Sequence, residues 1–244
     1  MKTIILTGDS RGVGLSIARE LLKKGYRVIG LSRTLSTEVE LLIKKFGSEN
    51  YIHINYDFSD VEGVKNLYKK KLRPLTKEKG IYGLVNNAAM AYDDIITNLN
   101  YGSLSLMYQV NVFSPMMITK YILRDMLLSK VKVSIVHISS ISAHTGYKGL
   151  AMYASTKGAI ESFSKNTARE WGHLGVRSNV VCPGFMDTEM SATLSDDQKN
   201  RIFNRNSMKC PVEVEAVATT VSFLLGKEAK CITGVVVPVD NGTI

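Results

Sequence analysis

Short apolar runs alternate with longer stretches in which apolar residues recur every three or four positions, and the alternation persists along the whole chain. The short runs are Thr3–Thr7, Val28–Leu31, Tyr51–Ile54, Gly83–Asn86, Val133–Ile138, Arg177–Val181 and Gly234–Pro238. Rich in β-branched residues and too short for helices, they predict strands buried on both faces. The longer stretches predict helices near 12–24, 37–46, 60–72, 103–129, 151–173 and 212–226. Pro74, which has no N–H for a helical bond, is expected to close the third. Strands separated by helices are joined by crossovers and so lie parallel. The expected fold is therefore α/β, a single doubly wound (Rossmann) domain over residues 1–244, with a seven-stranded parallel sheet flanked by helices on both faces. Residues 185–206 break the rhythm: polar and loop-like, with a short helical pattern from Ser195, they predict either a substrate lid or an ordinary surface excursion.

Composition narrows the functional classes. A chain of 244 residues, 45% hydrophobic and 22% charged, suits one globular α/β domain. No apolar stretch approaches the roughly 18 residues that span a bilayer, and Ile4-Ile5-Leu6 is too short for a signal-peptide core, so a cytoplasmic protein without membrane association is expected. Cys182, Cys210 and Cys231 are odd in number and lack C-x-x-C pairing, which predicts reduced thiols. The formal charge of +9 is spread along the chain, and its densest cluster, Lys69-Lys70-Lys71, ends an amphipathic helix; a solvated face is expected there, with no nucleic-acid partner. His53 and His137 fall in strands, where hydrogen-bonded buried histidines are expected. His144 falls in a loop expected to line the substrate mouth, and the histidines lack ligand spacing, so no metal is expected.

The candidate chemistry has two parts. Thr7-Gly8-Asp9-Ser10-Arg11-Gly12-Val13-Gly14 joins the first strand to the first helix, where backbone N–H groups and a positive helix end meet an anion. Gly8, Ser10, Arg11, Gly12, Val13 and Gly14 are thereby candidate cofactor contacts. The second strand ends in Leu31-Ser32-Arg33 with no carboxylate, so Arg11 and Arg33 favour a 2'-phosphate, and NADP(H) over NAD. Asp57 and Phe58, after the third strand, are candidates for flanking adenine; Asn87, Ala88 and Ala89, after the fourth, for the cofactor floor. Tyr153 and Lys157, four apart on one helix face, form the second part with Ser140. A tyrosine hydroxyl delivers a proton to a ketone oxygen that Ser140 holds, and a neighbouring ammonium is expected to lower the pKa of the phenol toward neutrality.

These residues together resemble the short-chain dehydrogenase/reductase family over essentially the whole chain. TGxxxGxG at Thr7–Gly14, Asn86-Asn87-Ala88, Asn111, Ser140, Tyr153-x-x-x-Lys157 and Pro183-Gly184 carry the resemblance. The chain is most similar to the bacterial 3-oxoacyl-[acyl-carrier-protein] reductases, through Cys182-Pro183-Gly184-Phe185, Leu194–Gln198 and Ile232-Thr233-Gly234. The resemblance implies that Asn111 interrupts its helix and holds a water in a relay to Lys157. It adds Pro183, Gly184 and Thr188 to the cofactor contacts of Tyr153 and Lys157, and implies a homotetramer built partly by the helices near 103–129 and 151–173. It implies reduction of a small-molecule carbonyl substrate, foremost a 3-oxoacyl thioester of fatty acid biosynthesis. A free or sugar-derived ketone, or a specialised acyl intermediate, remains open, as does an NADP-binding sensor. Two basic positions that receive the acyl carrier protein in those reductases align with Val131 and Leu174, which argues against carrier docking, while Lys130 and Lys132 beside the first leave that partner open.

Overall fold

A computed structural model describes residues 1–77, 80–129, 131–188 and 194–244. Seven strands, β1 (Thr3–Thr7), β2 (Arg27–Ser32), β3 (Tyr51–Asn55), β4 (Gly83–Asn86), β5 (Ser134–Ile138), β6 (Arg177–Pro183) and β7 (Val236–Val239), form one sheet in the order β3-β2-β1-β4-β5-β6-β7. Every pairing is parallel, with Ile4 opposite both Val28 and Gly83. Helices α1 (Gly12–Lys23), α2 (Thr37–Phe46) and α9 (Val214–Leu225) cover one face through Ile17, Leu21, Val39, Leu42, Val217 and Val221. The other face is covered by α3 (Val64–Leu67), α4 (Arg73–Thr76) and α6 (Ser114–Ser129), through Val64, Leu67, Ile118 and Ile122. Ile4, Ile5 and Leu6 of β1 are fully buried between these layers, each worth about 1.5–3 kcal/mol of burial.

Local chemistry explains the boundaries. Ser36 caps α2 by accepting the Val39 N–H at 3.3 Å, and its hydroxyl donates to the Ser10 carbonyl at 2.7 Å, tying that cap to the glycine loop. Helix α8 (Asp196–Phe203) starts with a reciprocal capping box between Ser195 and Gln198. Residues 189–193 of the expected lid, Met190 among them, lie outside the described residues.

One helical expectation needs correction. Pro74 does not close the third helix, which begins at Val64 and continues through a π turn, Tyr68–Leu72, into α4. There the Arg73 N–H reaches the Tyr68 carbonyl, so the bond that Pro74 cannot donate falls at a junction where the regular ladder is already broken. Lys69, Lys70 and Lys71 lie on this turn and are exposed. The helix expected over 103–129 is interrupted where the resemblance implies, at Asn111: α5 (Tyr101–Tyr108) passes through a π turn, Gln109–Phe113, into α6.

Candidate functional site

The strands end along one edge of the sheet, and at that edge the connections from the adjacent strands β1 and β4 leave toward opposite faces. The crevice this opens is where open α/β sheets bind ligands. Gly8 follows β1 with φ of +72°, and its N–H donates to the Leu31 carbonyl at 2.7 Å. The Thr7 hydroxyl oxygen accepts the N–H groups of Asn87 and Ala88, each at 3.0 Å, while the Asn87 amide donates to the carbonyls of Thr7 and Gly8 at 3.1 and 2.9 Å. The loop is thus stitched to the end of β4. A Cβ on Gly14 would lie 1.8 Å from the Gly8 carbonyl oxygen, and one on Gly8 would lie 2.8 Å from Ala88 Cα. Gly184 is as closely packed, its Cβ position 2.8 Å from Asp240 Cα.

Beneath this loop sits a network that sequence reasoning missed. Asp9 is fully buried and accepts the Tyr51 hydroxyl at 2.6 Å; His53 Nδ1 lies 2.9 Å from the same carboxylate oxygen. Burial first, then the Asp9 charge, pushes the Tyr51 phenol well above its ordinary range. Gly30 in β2 makes the room, since a Cβ there would stand 2.0 Å from Asp9 Oδ2. The available signal was a glycine in the middle of an otherwise apolar strand.

At the adenosine end, β1 and β2 finish side by side, with Thr7 opposite Leu31, and Arg11 and Arg33 are both exposed there. Asp57 is held below the usual carboxylate range, first by the Ser59 N–H and further by the Arg33 charge, which places Arg33 in the electrostatic reach of Asp57. The Phe58 ring is buried, with an edge-type contact to Tyr56. Ser10 and Val13 are half-buried in the loop, and Ala89 and Thr188 are half-buried near the crevice ends of their segments.

The second cluster gathers at the ends of β5 and β6. Ser140 caps a 3-10 turn, Ile141–Ala143, by accepting the Ser142 N–H at 3.2 Å. Helix α7 (Ala151–Trp171) carries Tyr153, half-buried, and Lys157, which is 4% exposed. Lys157 Nζ donates to the Ile138 carbonyl at 2.9 Å and lies 5.4 Å from the centroid of the Tyr153 ring, so the lysine fastens α7 to the strand that leads to Ser140. Asn111, 3% exposed in the π turn, accepts the Met90 N–H at 2.9 Å and donates to the Met90 carbonyl at 2.8 Å and to the Thr156 hydroxyl at 3.1 Å. The helix is therefore interrupted at Asn111, whose amide bridges the segment after β4 to the residue preceding Lys157.

The electrostatics correct one expectation. The Tyr153 phenol is not brought toward neutrality: desolvation, followed by the charge of Asp93, raises it above its ordinary value. The ammonium is engaged by the Ile138 carbonyl and faces the ring. Burial lowers Lys157 itself to about 8, with Cys182 and Glu161 pulling the other way. Burial also pushes the Cys182 thiol up to about 12 and His137 down to about 3. His137 Nδ1 pairs with the Asn86 amide at 3.2 Å. His144, expected at the substrate mouth, instead reaches Glu161, and ligand atoms of His144, Glu161 and Cys182 lie within 4.8 Å of one another. Cys182, Cys210 and Cys231 are free thiols.

A family model described as enoyl-(acyl carrier protein) reductase matches residues 8–243. The chain belongs to the short-chain dehydrogenase/reductase family. It is 32% identical over 244 residues to the 3-oxoacyl-[acyl-carrier-protein] reductase of Buchnera aphidicola, covering 99% of this chain and 96% of that one. It is also 32% identical to the L-xylulose reductase of Caenorhabditis elegans, over 99% of this chain and 95% of that one. Among solved structures, ElxO with NADP bound superimposes with a TM-score of 0.87 at 29% identity, covering 99% of this chain and 98% of that one. The protein is thus a short-chain oxidoreductase by family. Among the described residues, no helix is long and apolar enough to cross a membrane.

Proposed function

We propose that this chain reduces a ketone to a secondary alcohol with NADP(H), and that a 3-oxoacyl thioester is its foremost substrate. The observation that carries this reading is the convergence of Ser140, Tyr153 and Lys157 at the strand edge that also holds the glycine loop, with Asn111 bracing the helix that presents them. The loop fits the cofactor: Gly8 packs against Ala88 and Gly14 against the Gly8 carbonyl too closely for a Cβ, so the loop lies tight against the end of β4, the N-terminus of α1 opens beside it, and exposed Arg11 and Arg33 offer guanidinium groups to a 2'-phosphate. When bound, NADPH supplies the hydride. Ser140 holds the carbonyl oxygen, the Tyr153 hydroxyl donates the proton, and Lys157 and Asn111 keep the phenol in place.

A panel of carbonyl compounds, read by loss of NADPH absorbance, tests the proposal. It includes one 3-oxoacyl group on acyl carrier protein, the same group on a small thiol, sugar-derived ketones and unrelated ketones. The 3-oxoacyl thioester is expected to give the highest kcat/KM, and absence of NADPH oxidation with every compound overturns the reading. Leu174, half-exposed and apolar, and Val131 stand at the positions aligned with the carrier-binding basic residues, so carrier and small-thiol forms are expected to perform alike. The same absence, with the L-xylulose reductase relative, favours a sugar-derived ketone as the second substrate class.

For the cofactor, Arg33→Asp is expected to lower the NADPH-to-NADH ratio of kcat/KM by about 10–100-fold, the size of one charge-assisted hydrogen bond lost and a like charge gained. An unchanged ratio removes Arg33 from the phosphate site. A homotetramer is part of the proposal. Among the described residues, nothing lies within 4 Å of the Cβ position of Gly158 of α7, which leaves room for a second helix. Gly158→Leu is expected to reduce the mass seen by light scattering while far-ultraviolet circular dichroism stays unchanged; a retained tetramer places the interface elsewhere.

A further inference from the structure

The face of α7 that carries Tyr153 and Lys157 continues one turn further to Glu161, so the three residues follow at i, i+4 and i+8. Glu161 is 5% exposed, a depth at which carboxylate oxygens need hydrogen-bond partners. It has two. The Ser139 hydroxyl donates to Oε1 at 2.6 Å, and His144 Nε2 lies 3.0 Å from each carboxylate oxygen. His144 closes the cluster on the solvent side with its side chain 35% exposed. The same Ser139 hydroxyl lies 3.5 Å from the Lys157 carbonyl, which keeps the clamp in register with the lysine.

Inventory of the surrounding charges leaves Glu161 as the group that can compensate the buried ammonium. Cys182 on β6, the other group that favours it, is a neutral thiol at physiological pH because its pKa is about 12. His137 on β5 is neutral because burial holds it near 3. Asp240, after β7, is occupied by the N–H groups of Gly242, Thr243 and Ile244. Asp93 acts on Tyr153, raising its phenol. Lys157 itself has the Ile138 carbonyl, a dipole without net charge.

We infer that Glu161, clamped by Ser139 and His144, is a positioning residue for the proposed catalytic pair: it is the buried anion that holds Lys157 as an ammonium beneath Tyr153. The inference rests on the ketoreductase reading, and it makes the basic limb of the reaction a property of residue 161. The ammonium is present below the Lys157 pKa and lost above it, so wild-type turnover is expected to fall as pH rises through about 8. Removing the anion makes the ammonium easier to deprotonate, which moves that limb downward.

The experiment is the pH profile of kcat/KM for wild type, Glu161→Gln, Glu161→Asp and Ser139→Ala, with NADPH affinity and Tm measured alongside. Glu161→Gln keeps the shape and loses the charge; its limb is expected about one pH unit lower, with NADPH affinity unchanged. Glu161→Asp restores the charge and is expected to return the limb toward wild type, and Ser139→Ala to move it down by less. A limb at the wild-type pH in Glu161→Gln overturns the inference, as does a limb in Glu161→Asp no higher than in Glu161→Gln. The Lys157 titration is also followed by NMR of protein carrying 13C-labelled lysine, the resonance being assigned by its loss in Lys157→Met. This readout needs no substrate: if no carbonyl compound is turned over, the ketoreductase reading fails, and a lower Lys157 midpoint in Glu161→Gln still supports the electrostatic assignment. Should Glu161→Gln not fold, Ser139→Ala decides, and an unshifted midpoint there overturns the inference.

Discussion

Tyr153→Phe is expected to lower kcat for ketone reduction by about 10²–10⁴-fold while the Kd for NADPH stays within about twofold of wild type. The substitution removes one hydroxyl and keeps the ring that stacks over Lys157 at 5.4 Å to its centroid, so packing is preserved and the loss is chemical. The direction of the phenol's shift sharpens the expectation. Burial and the charge of Asp93 raise it, so the hydroxyl keeps its proton throughout the neutral range. The proton is therefore present for a forming alkoxide, a stronger base than the phenolate, although the shift makes the phenol a weaker acid. Turnover read by NADPH absorbance, with Kd by fluorescence titration, separates the two quantities. Wild-type kcat in the Phe variant removes Tyr153 from the reaction, and a large loss of NADPH affinity makes its role structural.

The raised phenol and the lowered lysine belong to one physical situation. Two titratable groups on one helix face are taken out of water together, and each is pushed toward its neutral form. Sequence spacing alone shows that Tyr153 and Lys157 meet; it suggests mutual stabilisation of the charged forms because it contains no measure of desolvation. Lys157 comes to face the Ile138 carbonyl through the packing of α7 on β5, a contact between residues 19 apart in the chain.

The strands were legible because each is a short apolar run flanked by polar residues, and the parallel order follows from the helices between them. Boundaries shifted where a feature is not periodic: β7 runs Val236–Val239 instead of starting at Gly234, whose φ of +74° belongs to the turn before it. Neither π turn shows in the apolar rhythm, which each preserves while adding one residue to a turn, and the interruption at Asn111 was expected only from the resemblance. In one, Pro74 reads as a stop although the helix continues. In the other, Asn111 was recognised by its motif context, yet its partners at Met90 and Thr156 come from segments that only the fold brings together. Asp9 and Glu161 lay in plain view as acidic residues inside a glycine loop and a helix. Their burial depends on Tyr51 and His53 in the first case, and on Ser139 and His144 in the second.

Gly14→Ala is the other large effect, and it acts before any chemistry. Alanine at a helical position is intrinsically better than glycine by about 1 kcal/mol, and Gly14 lies inside α1, so propensity alone predicts a gain. Space reverses the sign. The added methyl would stand 1.8 Å from the Gly8 carbonyl oxygen and 2.6 Å from the Asn87 amide nitrogen. Neither can step aside cheaply: the Gly8 carbonyl accepts the Asn87 amide at 2.9 Å, and the Gly8 N–H is held by the Leu31 carbonyl at 2.7 Å. Relief requires the loop to move away from α1, into the volume proposed for the pyrophosphate. NADPH affinity is therefore expected to fall by at least about 100-fold, and Tm by several degrees, as for overpacking of a close backbone contact costing about 1–3 kcal/mol. Gly12→Ala is the control. Its φ of +52° strains any side chain by about 1–2 kcal/mol, but among the described residues nothing lies within 4 Å of its Cβ position, so the loop keeps its place against Asn87. Cofactor affinity in the two variants, measured at equal folded fraction, distinguishes close approach from backbone strain. Equal losses in both assign the glycines to conformation, whereas a loss confined to Gly14→Ala shows that contact between loop, helix and strand end shapes the cofactor cradle.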